Sequence, residues 1–289
     1  MCDINEILKY FSKNIYKNIY NVIEKDENLK NKIREIRIRV NKPIIIRTNN
    51  QDIIIEYFVN QEEILETLSR LCENSIYAYK NQICEGFITI KGGHRVGITG
   101  SCVIENGKVL NIKYVSSLNF RIAREVINCS QKYLDKILDL KNQTIFNTII
   151  VGKPGSGKTT ILRDIVRNLS NGIEKYQFQG KTCGIVDERG EIAATFRGIP
   201  QNDVGIRTDV IENVSKPIGI NMLIRSMAPE IIVCDEIGSK QDVLAIEYAI
   251  HSGIKGIFTM HGKNLEDVKN NQEVYKLISN KSIEKILFL

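Results

Sequence analysis

Gly152-Lys153-Pro154-Gly155-Ser156-Gly157-Lys158-Thr159 reads G-x-x-x-x-G-K-T, the Walker A phosphate-binding loop. Its setting agrees with its letters. Ile145-Phe146-Asn147-Thr148-Ile149-Ile150-Val151 precedes it, a β-branched run suited to a buried strand. Apolar residues at 161, 162, 165, 166 and 169 follow, one face of a helix. Strand, glycine loop and helix form the order that phosphate binding needs. Glycines let backbone N–H groups turn inward where a Cβ would block them, and the helix N-terminus adds unpaired donors and a favourable dipole. Gly152 to Gly157 with Lys158, Thr159 and Thr160 are therefore the expected nucleotide-binding residues. Lys158 would reach the β- and γ-phosphates, and the Thr159 hydroxyl would ligand Mg²⁺.

From Ile145 onward short strands alternate with helices, which predicts a parallel α/β sheet. Cys183–Asp187 is a strand ending in Asp187-Glu188-Arg189-Gly190-Glu191, and ligands bind at the carboxyl edge of such sheets. Phe196–Lys216 reads as a long polar loop and Ile218–Met227 as a helix carrying Arg225. Glu230-Ile231-Ile232-Val233-Cys234-Asp235-Glu236 is a buried strand ending in two acids, a Walker B pattern. Asp235 would hold Mg²⁺ through the metal's water shell, and Glu236 would orient and deprotonate the attacking water, with Glu188 as a second candidate. Ser239-Lys240-Gln241-Asp242 is a capping box. The next strand ends in Thr259-Met260-His261, where His261 is placed to sense the γ-phosphate.

The N-terminal half reads as a small α+β unit. Ile4, Ile7, Leu8, Phe11, Ile15, Ile19 and Ile23 mark an amphipathic helix over 4–23, followed by a loop over 26–32. Ile36, Ile38 and Val40 alternate with arginines in a half-buried strand, and Pro43–Arg47 forms a second. Residues 61–72 are helical, 87–90 are a strand, and Glu105-Asn106-Gly107-Lys108 signals a hairpin. Gly97-Ile98-Thr99-Gly100 matches a GXXG nucleic-acid clamp but lacks flanking helices, so it reads as a turn. The expected division is an α+β domain over 1–127, a linker over 128–144 and the nucleotide-binding domain over 145–289, consistent with about 150 residues per domain.

Composition narrows the classes. With 43% hydrophobic and 26% charged residues the chain is ordinary for a globular protein, and its longest apolar run falls well short of the roughly 18 residues of a membrane span. Met1-Cys2-Asp3-Ile4 gives no secretion signal. Seven scattered cysteines without a C-x-x-C pair speak against a zinc or redox motif and for reduced cytosolic thiols. The net charge of +6 is interleaved along the chain, a weak basis for nucleic-acid binding. Nucleic acid is therefore not an expected partner.

Several stretches together resemble the stage III sporulation protein AA family. They are 153–160 with Leu162-Arg163-Asp164, Val186–Ile192, Pro200–Gly205 with Arg207-Thr208-Asp209, Leu223–Met227, Gly92–Gly97, Ser116–Asn119 and Arg121–Glu125. That family is related to the type II and type IV secretion ATPases, which are RecA-like hexamers. The resemblance implies a RecA-like P-loop core, with Asp187-Glu188 as the Asp box and 259–261 as the His box. It implies an Mg²⁺-dependent ATPase, cytoplasmic in the mother cell of a spore former. Such a protein would form a homo-hexamer and dock on a membrane protein of the same sporulation channel complex, which it would energise. One or more of Arg207, Arg225, Arg121 and Arg124 would act across a subunit boundary. The choice of ATP rests on this resemblance and on the lack of an N/T-K-x-D guanine motif after Walker B.

Two departures stand out. Related secretion ATPases carry Gly-Glu-Ile-Arg-Asp where this chain has Asp235-Glu236-Ile237-Gly238-Ser239, so metal and base duties are expected to be divided differently. Family members generally continue past a strand such as Ile286–Leu289, so a missing final strand pair or a trimmed chain is the expectation. Two other readings compete. A nucleic-acid-dependent RecA-like ATPase needs a basic stripe with stacking aromatics, and Tyr77 and Tyr79 are the one close pair in a polar setting. A non-catalytic nucleotide switch needs a damaged Walker B, and Asp235-Glu236 is intact.

Overall fold

A computed structural model describes residues 4–289, so the reading of Met1–Asp3, with Cys2, lies outside the described residues. The chain divides into two compact units after Arg124.

The first unit holds α1 (Ile4–Leu8), α2 (Lys13–Lys25), β1 (Ile33–Arg39), β2 (Pro43–Thr48), β3 (Asp52–Phe58), α3 (Gln61–Leu71), α4 (Lys80–Cys84), β4 (Phe87–Ile90), β5 (His94–Glu105) and β6 (Lys108–Arg121). Its sheet runs β3-β2-β1-β6-β5-β4 with every pairing antiparallel. Alternation along β1 buries Ile36 and Ile38, and a register shift between Ile33 and Glu35 brings Ile33 into the same core, which α2 and α3 share. The expected single helix over 4–23 is two. Ser12 takes an extended backbone and its N–H leaves the helix for Thr67 Oγ1 at 3.2 Å, yet Ile4 through Ile23 still share one core. The expected loop at 26–32 contains a 3₁₀ turn capped by the Asp26 side chain.

Gly97-Ile98-Thr99-Gly100 is not a turn but part of β5. Gly97 pairs with both Phe87 and Asn119. The β5–β6 register shifts at Thr99/Ser101, and a Cβ on Gly100 would come within 2.8 Å of the Lys113 and Tyr114 carbonyl oxygens. The second glycine therefore serves a bulge.

The second unit holds α5 (Gln131–Ile137), β7 (Leu138–Asp139), β8 (Thr144–Ile145), β9 (Thr148–Gly152), α6 (Lys158–Asn171), β10 (Cys183–Asp187), β11 (Thr208–Glu212), α7 (Lys216–Met227), β12 (Ile231–Cys234), α8 (Lys240–His251), β13 (Lys255–His261), α9 (Leu265–Asn270), α10 (Gln272–Ser279) and β14 (Lys285–Phe288). All strands of its main sheet are parallel, in the order β11-β10-β12-β13-β9-β14. Side chains of β9, β10 and β12 are buried throughout, as expected when both faces carry helices.

Two expectations are corrected here. Residues 128–144 are no tether, because Leu134, Ile137 and Leu138 are buried in the same core as Leu162 and Ile165 of α6. The loop over 196–216 contains β11, which extends the sheet beside β10. Its half-exposed residues lack the apolar run that marks a central strand.

Candidate functional site

A parallel sheet aligns all its strand carboxyl ends on one edge, and here that edge collects the residues singled out from the sequence. β9 ends at Gly152 and the loop leads into α6 at Lys158. Gly155 and Gly157 have φ of 75° and 90°, and a Cβ on either would meet open space, so the backbone there is free to face a ligand. Gly152 has a different duty. A Cβ there would lie 2.4 Å from Ser156 Oγ, so a side chain at this position would force Ser156 to shift.

Lys158 is buried, and its Nζ donates to the Lys153 carbonyl at 3.1 Å and to His261 Nδ1 at 3.1 Å. An ammonium group has no lone pair, so Nδ1 must be the acceptor, and the neutral ring then carries its proton on Nε2. That nitrogen lies 2.8 Å from Glu236 Oε1 and donates to it. His261 thus links the phosphate-loop lysine to the second acid of Walker B.

Asp235 and Glu236 follow β12 directly. The Thr159 hydroxyl donates to Asp235 Oδ2 and the Thr259 hydroxyl to Asp235 Oδ1. Thr259, fully buried on β13, also accepts from the Glu236 N–H at 2.8 Å. Glu236 sits at φ 50°, a left-handed conformation costly for a side chain with a Cβ. Its Oε2 accepts from the Arg189 guanidinium.

Sequence reading missed Arg189, and it assigned Asp187 to a box rather than to a task. The Asp187 carboxylate is buried and accepts from the N–H groups of Glu191, Ile192 and Ala193 at 2.8–3.2 Å. Burial pushes its pKa up despite those donors, with the nearby Asp235 charge adding to the rise. On the other side of the loop, Arg163 of α6 donates to the Ile192 and Glu191 carbonyls at 2.6 and 2.7 Å. Glu188, the second base candidate, is paired with Lys216 of α7. The strand-end cluster of charges was the available signal, but which of them bind backbone and which face the site is decided by neighbours distant in sequence.

The arginines fall elsewhere. Arg207 precedes β11, at the amino edge of the sheet and opposite the phosphate loop, and donates to the Ser170 carbonyl at 2.8 Å. Arg225 lies exposed in the last turn of α7, which leads back to that same edge. In the first unit Arg121 ends β6, and Arg124 donates to the Lys30 and Ile33 carbonyls at 3.1 Å each.

A family model described as "Sporulation stage III, protein AA" matches residues 4–289. The chain is 37% identical over 286 residues to "Stage III sporulation protein AA" of Bacillus subtilis (strain 168), covering 99% of this chain and 91% of that protein. Among solved structures it is similar to the Legionella pneumophila ATPase DotB, with a TM-score of 0.55 at 15% identity over 88% of this chain and 68% of that one. The pilus retraction motor PilT, solved with bound ADP, gives 0.58 at 14% identity over 94% and 77%. At such identities these likenesses establish the fold, a mixed α/β chain with a RecA-like parallel core. Among the described residues no helix is long and apolar enough to cross a membrane.

Proposed function

The chain belongs to the stage III sporulation protein AA family, and from that membership together with its site geometry we propose that it hydrolyses ATP with Mg²⁺ to energise a membrane-spanning secretion or channel complex during endospore formation. One observation carries the reading: Thr159, Asp235, Thr259 and Glu236 join in one hydrogen-bonded chain, so the end of the phosphate loop and both acids after β12 meet at one sheet edge.

The residues fit the groups they would receive. Thr159 Oγ1 and Asp235 are hard oxygen donors few in number, and Mg²⁺ takes one or two such protein groups and keeps its waters. Held there, Mg²⁺ would supply positive charge against that of the phosphates. The loop from Gly152 to Thr160 would wrap the phosphates. Lys158 would give up the Lys153 carbonyl and His261 for the γ-phosphate. Glu236 would accept the proton of the attacking water, its carboxylate held through Arg189 and His261. His261, relieved of the lysine, would report the γ-phosphate. Glu236 is preferred to Glu188 because its N–H shares Thr259 with Asp235, which Thr159 of the loop reaches, whereas Glu188 is paired with Lys216 at the start of α7. We place the protein in the mother-cell cytoplasm as a ring, a homo-hexamer, held at the membrane by a protein of the same complex.

ATPase turnover and nucleotide affinity of the full chain test the reading. Lys158→Ala is expected to abolish nucleotide binding while leaving the fold intact, and Glu236→Gln to bind ATP and keep it unhydrolysed. ATP affinity unchanged in Lys158→Ala overturns the binding site. Turnover near that of the unaltered chain in Glu236→Gln moves the base role away from Glu236.

A further inference from the structure

We propose that Arg189 is a positioning residue for hydrolysis, acting within its own chain by holding the Glu236 carboxylate where it can activate water. This rests on the reading of Glu236 as the base. Three observations lead to it. First, Glu236 is held at both oxygens, Oε1 by His261 and Oε2 by Arg189, while its own backbone is in the left-handed region. A strained residue keeps one geometry only when its surroundings over-determine it. Second, the loop bearing Arg189 is fixed from both sides, by the buried Asp187 carboxylate on its N–H groups and by Arg163 on its carbonyls. A long, exposed arginine positions a partner well only from an anchored backbone, and this loop supplies one. Third, Arg207 and Arg225 lie toward the opposite edge of the sheet, whereas Arg189 sits on the edge that carries the phosphate loop. The loop after β10 and the last residue of β13 therefore grip Glu236, two residues past the end of β12, the strand that stands between them in the sheet.

The test uses the full chain at a concentration where it turns over ATP. Arg189→Ala is expected to lower kcat about 10- to 100-fold, because a small displacement of a reacting group costs rates of that order. The KM for ATP and the affinity for a fluorescent ATP analogue should stay within about twofold. Arg189→Lys should restore part of the rate, since a cation at that place still pairs with Oε2. In single-turnover measurements, Arg189→Ala placed in a Glu236→Gln background should cost little more, because the two act as a unit. A general structural defect would instead add to the loss and lower affinity as well. An unchanged or raised kcat in Arg189→Ala, or full additivity with Glu236→Gln, overturns the proposal. If Lys158→Ala fails to bind ATP and Glu236→Gln fails to hydrolyse it while Arg189→Ala is unimpaired, only this inference falls. If the unaltered chain shows no turnover, or if Glu236→Gln turns over normally, the underlying assignment falls and takes this inference with it.

Discussion

Replacing Thr259 by valine removes one oxygen atom and almost no volume, and it tests how the two Walker B acids are held. The Thr259 hydroxyl is fully buried, donates to Asp235 Oδ1 and accepts from the Glu236 N–H at 2.8 Å. In Thr259→Val the Glu236 N–H keeps only Asp235 Oδ1, at 3.1 Å. Asp235 Oδ1 meanwhile loses a donor. Leaving one buried polar group poorly paired costs about 1–3 kcal/mol. For a unit of this size each kcal/mol is worth about 2–4 °C, so the second unit should melt roughly 2–12 °C earlier. The catalytic effect should be larger in proportion. At Glu236, with φ 50°, this is the shorter of the two hydrogen bonds that hold the N–H, and its carboxylate should drift once only the longer one remains. The rate should fall about 10- to 100-fold, while ATP affinity, which depends on the loop from Gly152 to Thr160, should change little. Thr259→Ser keeps the hydroxyl and should behave nearly as the unaltered chain. The assays are a thermal melt, steady-state ATPase and calorimetric ATP titration. Melting and kcat both unchanged in Thr259→Val would refute the bridging role, and a parallel fall in affinity and rate would mean that Thr259 acts through the phosphate loop.

Asp187→Asn should destabilise the second unit by about 2–4 kcal/mol, because an amide cannot accept from all the N–H groups that the carboxylate serves; amide exchange over 188–193 should speed up, and protection equal to the unaltered chain would refute the staple. His94 in the first unit accepts from the Ala123 N–H at 3.0 Å, and burial, aided by the Arg124 charge, lowers its pKa from 6.5 to about 4. The folded state thus refuses a proton that the unfolded chain accepts, so this contribution is complete above about pH 6.5 and is lost as pH falls toward 4, up to about 3 kcal/mol; His94→Gln should flatten that slope in denaturant titrations, and an unchanged slope would refute the assignment. Mixing Lys158→Ala with Arg207→Ala, Arg225→Ala, Arg121→Ala or Arg124→Ala should restore part of the ATPase activity for any arginine that acts in trans; no recovery with any of the four, in assemblies that light scattering shows to exchange subunits, would rule that mechanism out.

The parallel core was legible because its signals are local. Strand, glycine loop and helix lie within 145–171, and the strands after it are apolar runs ending in acids. The mistakes fell where structure depends on distant partners. Gly97–Gly100 looks like a turn until β4 and β6 flank it, and β11 looks like loop because an edge strand needs no apolar run. Residues 128–144 present mostly polar letters, and the few apolar ones become a core only against α6. Charged side chains were the least legible of all. Asp187, Glu188 and Arg189 are adjacent in sequence, yet one binds backbone, one pairs with Lys216 and one holds Glu236.

That division bears on which arginine can serve the site. The residues proposed for chemistry sit at the carboxyl edge of the parallel sheet, while Arg207 precedes β11 at its amino edge, its guanidinium spent on the last turn of α6 through the Ser170 carbonyl. The same guanidinium lies against Gly180, where a Cβ would come within 2.5 Å of it, although Arg207 as a residue is exposed. Within its own chain Arg207 cannot approach Lys158 without giving up the Ser170 carbonyl, since the whole length of β10 separates the two edges. Any part that it plays in hydrolysis must therefore be at a neighbour's nucleotide or through α6 itself, the helix that begins at Lys158 and ends beside Ser170. The second route needs no second chain. Loss of Arg207 would loosen the far end of the helix that presents the phosphate loop, and mixing with Lys158→Ala would then bring no recovery even though the single variant is impaired.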